Sequence, residues 1–208
     1  MLTPDQATAF LAAAVLITLS PGPDNLLVLA LGMARGRAAG MSFGLGCALG
    51  CLSHTLLAVA GISALIAASS SAFLALKIAG GLYLLWLGAQ ALLRDGRSAA
   101  AAGDEVPLSL PRLFARGLLA NAINPKVLLF FLAFLPQFVL TGRNDGALQI
   151  AQLGILFTLQ AALLFVTLGY FAGHVGRWLK RVPRAGLWLD RAAGGIFLAL
   201  GLRLLVAR

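Results

Sequence analysis

The sequence predicts an all-α integral membrane protein with six transmembrane helices, arranged as two inverted three-helix repeats. Three observations carry that expectation. Of 208 residues, 60% are hydrophobic and only 11% charged, against roughly 25% charged in a soluble domain. The charges are also segregated: residues 6–23, 38–76, 127–142 and 146–176 hold no Asp, Glu, Lys or Arg, and a bilayer span needs roughly 20 predominantly apolar residues. Finally, two apolar segments are interrupted by proline at matching places, Pro21 and Pro125. Too little polar chain is left for a second domain, so 1–208 reads as a single transmembrane unit and not as an enzyme.

The first span covers 4–34. Thr3 followed by Gln6 is a capping box, with Pro4 at the first helical position. No positive segment precedes the apolar run, which therefore reads as a retained helix and not as a signal peptide. This span breaks at Ser20-Pro21-Gly22-Pro23. The uncharged run 38–76 would measure roughly 58 Å as one helix, about twice the hydrocarbon thickness. It must turn, and Ala68-Ser69-Ser70-Ser71 is the polar cluster available, giving spans over 39–67 and 72–93. Residues 94–112, with Pro107 and Pro111, read as a polar loop. The fourth span, 113–140, breaks at Asn124-Pro125. A turn over 141–146, a fifth span over 147–173, a basic connector over 174–186 and a sixth span over 187–206 complete the chain. Asp190 and Arg191 sit near the start of that last span.

The net charge is +9, and its placement matters more than its size. Arg35, Arg37, Arg94, Arg97, Arg112, Arg116, Arg177, Lys180, Arg181 and Arg184 fall in the first, third and fifth connections. The other side holds Arg143 and Arg208, with Lys77 and Arg203 near it. An excess of Lys and Arg marks the cytoplasmic side, so 94–112 is expected inside and both termini outside. Such charges meet anionic headgroups of the lipid bilayer. No basic stretch is interleaved with aromatics, which argues against a nucleic-acid partner.

The chemistry is expected at the two breaks. Pro21-Gly22-Pro23 is followed by Asp24-Asn25, and Asn121 by Asn124-Pro125-Lys126. Proline removes a backbone donor and frees the carbonyl it would have served; at membrane depth this survives only beside protein or a water-filled cavity. Along a helix, Asp24 lies about 16 Å from Arg35 and Lys126 about 15 Å from Arg116, near the midplane of a core of roughly 30 Å. A charge there costs about 2.5–3.5 kcal/mol even on the mild insertion scale and marks a substrate or ion pathway. A structural Asp24–Lys126 ion pair closing two kinks is the plainer reading, and the two are compatible.

Pro21 and Pro125 are 104 residues apart, half of 208, and each opens a three-span half, 1–93 and 113–208. Units with an odd number of spans must be inverted. Discontinuous helices at matching positions point to the binding site of a secondary transporter. Pro21, Gly22, Pro23, Asp24, Asn25, Asn121, Asn124, Pro125 and Lys126 are therefore candidate substrate-binding residues. The N–H groups after Pro23 would open a half-helix whose positive end receives a carboxylate. Asp24 would meet an ammonium or carry a coupling proton. Lys126 would balance Asp24, or bind the carboxylate itself.

His54 is the second proton-coupling candidate. Its alternative is a neutral ring bonded to a carbonyl. It lies about 26 Å from Arg37 along a helix, which puts it toward the outer mouth. Cys47, Cys51 and His54 share one helical face, so soft divalent metal export is an alternative function. Without a fourth ligand, cysteine as a small apolar filler is the simpler role, and neither a resident metal nor a cofactor is expected. A membrane thiol–disulfide carrier is the rival of a different class, but no C-x-x-C is present and both cysteines fall on one span.

The same residues carry a resemblance. Ser20-Pro21-Gly22-Pro23-Asp24-Asn25-Leu26-Leu27-Val28 with Gly36-Arg37 and Gly40 resembles the first signature of the LysE/RhtB amino-acid exporters. Gly117 to Lys126, followed by Phe130-Phe131 and Phe134-Leu135-Pro136-Gln137-Phe138, is similar to the second. Lys77, Gly80, Tyr83-Leu84 and Leu87-Gly88 also look like the family pattern. The resemblance implies proton-driven export of amino acids or close derivatives across the bacterial inner membrane, and it leaves a homodimer open. Ser20 stands where Thr is commoner. Cys51 stands where some relatives, exporters of basic amino acids among them, carry an acidic residue; that departure favours a neutral over a cationic substrate.

Overall fold

The computed structural model of the protein describes residues 2–68, 70–93, 108–140, 145–182 and 184–206, apart from the side chains of 62–68, 70, 73 and 180. Most of the expected polar loop, with Arg94, Arg97 and Pro107, lies outside the described residues, as do Ser69, the 141–144 part of the expected turn and Arg208.

The described elements are all helical. In order they are α1 (Pro4–Leu19), α2 (Pro23–Arg35), α3 (Arg37–Ala68), α4 (Ser70–Leu93), α5 (Leu110–Ala122), α6 (Pro125–Leu129), α7 (Gly146–Arg181) and α8 (Ala185–Val206). The capping box forms as expected: Thr3 Oγ1 accepts from Gln6 N–H, and the Gln6 side chain accepts from Thr3 N–H. Both proline breaks are real bends, of 58° between α1 and α2 and 47° between α5 and the segment from Pro125 to Phe138.

The fourth apolar segment is more irregular than a single break. After α6 the chain is π-helical over Phe130–Phe134 and 3-10 helical over Leu135–Phe138. Pro136 offers no N–H to continue an α-helical ladder, and π turns of this kind concentrate at functional sites. The expected basic connector over 174–186 is also mostly helix, because α7 runs 36 residues to Arg181. That is about 54 Å, longer than the roughly 30 Å hydrocarbon core. Lys and Arg are good helix formers, so leaving the apolar run does not end the helix.

Among the described residues, Arg37–Gly61, Leu74–Leu93 and Gly146–Leu179 are long and apolar enough to cross a membrane, and counting each bent pair as one span makes five. α8, which carries Asp190, Arg191 and Arg203, is not among those counted.

α3 is the centre of the assembly, packed on α7 and α5, with α2 against both α3 and α7 and α4 against α8. The α2–α3 turn is one residue, Gly36, at φ 86°, a left-handed conformation that glycine adopts at no steric cost. Small residues let backbones approach: a Cβ on Gly117 of α5 would collide with the Phe43 carbonyl of α3, and one on Gly46 with the Phe114 carbonyl. Phe10, Phe130, Phe131, Phe134 and Phe157 fill the interior beside these crossings.

The helix ends differ in character. Arg37 Nη1 donates to Tyr170 Oη at 3.3 Å and Ser42 Oγ to Leu110 O at 2.7 Å. These contacts gather the α2–α3 turn, the start of α5 and the last turns of α7, all arginine-bearing, at one end. The opposite end is tied by buried amides. Gln6 Nε2 donates to Phe138 O and, at 2.8 Å, to Gln149 Oε1, joining α1, the 3-10 turn and α7.

Candidate functional site

The two breaks meet. Pro21 cannot supply the N–H that Ile17 C=O would receive in a continued helix, and Lys126 Nζ donates to that carbonyl instead, at 3.2 Å. The same ammonium donates to Ser20 O at 3.1 Å and lies 3.5 Å from Ser20 Oγ. Lys126 belongs to the other break, so the second half of the chain completes the first. The C-terminal carbonyls of α1 are a favourable place for a cation, which offsets its burial.

The reverse contact involves Asp24. Its Oδ2 accepts from Asn121 Nδ2 at 2.8 Å and Asn124 Nδ2 at 2.9 Å, both from the second break. Asn124 also caps α6, its Oδ1 accepting from Lys126 N–H at 3.0 Å. Asp24, Asn121, Asn124 and Lys126 are all buried. The expected midplane residues thus converge, but through amides and carbonyls: the polar contacts of Asp24 go to Asn121 and Asn124, those of Lys126 to Ile17 and Ser20.

Gly22 explains its own identity. It is the N-cap of α2 and makes no side-chain cap, and a Cβ there would stand 2.9 Å from Lys126 Nζ. The lysine ammonium and the positive end of α2 therefore share one spot. Ile17, Thr18, Asp24, Cys51, Asn121, Lys126, Val127, Phe157 and Phe165 surround a cavity of about 10 Å³, room for about one water.

Asn25 faces α1, its Nδ2 donating to Thr18 O at 2.8 Å. His54 is fully buried against the second break, Nε2 lying 2.9 Å from Asn121 O. That carbonyl is the one Pro125 cannot serve; it also takes Asn124 N–H at 2.8 Å. A carbonyl only accepts, so Nε2 carries a proton.

Cys51 Sγ lies 3.3 Å from Asn121 Oδ1, so one asparagine links α3, α2 and its own break. Cys47 and Cys51 are both free and buried. Among the described residues no three His, Cys, Asp or Glu side chains come together as a metal site. His54 instead turns to a carbonyl, and the cysteines pack inside α3. Sequence reasoning missed Thr18 and Gln160. Gln160 Nε2, on α7, donates to Thr18 Oγ1 at 2.8 Å. An amide inside the uncharged run 146–176 was the available signal.

Helices with broken, apolar spans and charges buried at the breaks define a membrane transport protein, and comparison with known proteins says which kind. Residues 15–208 match the profile of the LysE type translocators, and the chain belongs to that family. It is 31% identical over 204 residues to an uncharacterised membrane protein of Pseudomonas aeruginosa, covering 95% of this chain and 94% of that one. It is similar to the threonine efflux protein of Salmonella typhi, 31% identical over 93% of this chain and 94% of the relative. The homoserine/homoserine lactone efflux protein of the same organism is 32% identical over 96% of each chain. No solved structure matches. The protein is thus a multi-pass membrane translocator, with relatives named as threonine and homoserine/homoserine lactone efflux proteins, and not an enzyme.

Proposed function

We propose that the protein exports small neutral amino acids across the bacterial inner membrane in exchange for protons. One observation carries this reading: a buried carboxylate and a buried ammonium, Asp24 and Lys126, line one cavity while bonding to different groups. A zwitterion presents the complementary pair. Its carboxylate would displace the carbonyls of α1 at Lys126 and use the positive end of α2. Its ammonium would replace the Asn121 and Asn124 amides on Asp24. Protonation of Asp24 after release would let Lys126 return to Ile17 and Ser20, coupling export to proton entry.

A cavity with room for about one water holds no amino acid, so on this reading the site must open for transport. Opening requires one half to move against the other, as in transporters built from inverted repeats. The pairings support six spans in two halves: α3 packs on α7 and α4 on α8, each with its counterpart in the other half. On this reading 1–208 is one transport domain, and a homodimer is compatible with it. The arginine-bearing end faces the cytoplasm, with both termini outside.

Proteoliposomes loaded with labelled neutral and basic amino acids and with Zn²⁺ test the substrate. Neutral amino acids should leave, and faster under an imposed pH gradient; efflux of the metal alone would reverse the reading. Orientation is checked separately. A reporter fused after Arg181 should report cytoplasm and one near residue 144 the outside; the opposite pattern overturns the topology.

A further inference from the structure

We propose that Phe197 of α8 is a positioning residue of the transport site: its ring holds the Lys126 ammonium in place while the carbonyls of α1 give way to a substrate carboxylate. The inference rests on the export reading above and brings the last helix of the chain into the site. Phe197 is 2% exposed, and Lys126 Nζ stands over its ring, 5.8 Å from the centroid. The ammonium donates to Ile17 O and Ser20 O, at the end of α1. The ring is therefore its contact from a different helix.

An aromatic face carries partial negative charge and attracts a cation within about 6 Å of its centroid, most strongly where both are out of water. Lys126 is itself buried. A lysine ammonium rides on a long, flexible stem and moves toward wetter surroundings unless it is held. On the export reading, the α1 carbonyls are what a substrate displaces. Carbonyl and carboxylate both accept N–H and so compete for the same donors. The ring instead draws the charge as a whole and engages no particular N–H, so it stays in contact while those donors change partners.

Two further observations set Phe197 apart from a packing residue. Phe10, Phe130, Phe131, Phe134, Phe138 and Phe157 pair ring against ring. None of the ring pairs among the described residues includes Phe197; the cation is what its ring faces. The ring is also firmly mounted. Gly194 and Gly201, about one turn to either side, bring α8 close onto α4, since a Cβ on either would stand 3.0 Å from the Gly88 or the Gly81 carbonyl.

The test separates the ring's charge distribution from its bulk. In proteoliposomes, Phe197→Leu should raise KM for the best-exported neutral amino acid about 10-fold with kcat little changed. Phenylalanines bearing one, two and three ring fluorines at position 197 keep the size nearly constant while drawing negative charge off the ring face. KM should climb stepwise along that series, which decides the matter even where Phe197→Leu fails to insert. A flat KM across the series overturns the role of the ring and leaves amino-acid export standing. Efflux of no amino acid from the wild-type protein overturns the export reading, and this role with it.

Discussion

The two breaks solve the same backbone problem with different chemistry. At the first, Pro21 leaves Ile17 C=O without its helical donor, and the donor supplied is the Lys126 ammonium, with Ser20 Oγ at 2.7 Å. At the second, Pro125 leaves Asn121 C=O, and the donors are His54 Nε2 and the backbone N–H of Asn124. Each carbonyl thus has a local donor, the Ser20 hydroxyl or the Asn124 N–H, and a remote side chain from the other half of the chain: a full charge at the first break, an imidazole at the second. A carbonyl satisfied by an ammonium is a place the charge can leave when a better anion arrives. On the export reading proposed above, the first break is where binding would change the structure, and the second would be the frame that holds Asn121 and Asn124 toward Asp24.

That contrast is broken most directly at the charges. Asp24→Asn and Lys126→Ala should each lower export about 100-fold or more while the protein still inserts. Removing one member of a buried charge system costs about 3–5 kcal/mol, and each 1.4 kcal/mol is about a factor of ten. The double variant Asp24→Asn with Lys126→Ala should stay inactive. Recovery of efflux in it would make the pair structural, and wild-type efflux from both single variants would remove the site altogether.

The second break should respond more weakly and in a way hydrogen bonding alone explains. His54→Ala removes the side-chain donor to the Asn121 carbonyl, a stability loss of about 1 kcal/mol, readable as a lower thermal midpoint with reduced efflux. His54→Gln restores a donor and should recover most of the efflux; if it fails to, titration and not donation is what His54 supplies. Smallest of all is the paired replacement of Cys47 and Cys51 by Ala, which removes buried packing atoms and should leave export nearly intact. Complete loss of efflux in that inserted variant would place the function in the wrong class.

Much of this was readable along the chain. The proline breaks at Pro21 and Pro125, the capping box at Thr3 and the buried charges Asp24 and Lys126 each follow from local rules: a missing N–H, a reciprocal side-chain pair, a charge inside an apolar run. The extent of α7 was not readable, because charge ends an apolar run without ending a helix. Nor were the π and 3-10 turns over 130–138 foreseen.

By itself, then, the sequence determined where helices must break and which charges must be buried, since both are consequences of covalent chemistry and of apolar run length. Only the tertiary structure decided who answers whom: that Lys126 serves Ile17 and Ser20, that Asp24 is held by Asn121 and Asn124, and that Thr18 gathers Asn25 and Gln160. Those partners are separated by up to 142 residues. Hydrogen bonds at such separation are set by which helix faces pack together, and no local pattern encodes that choice.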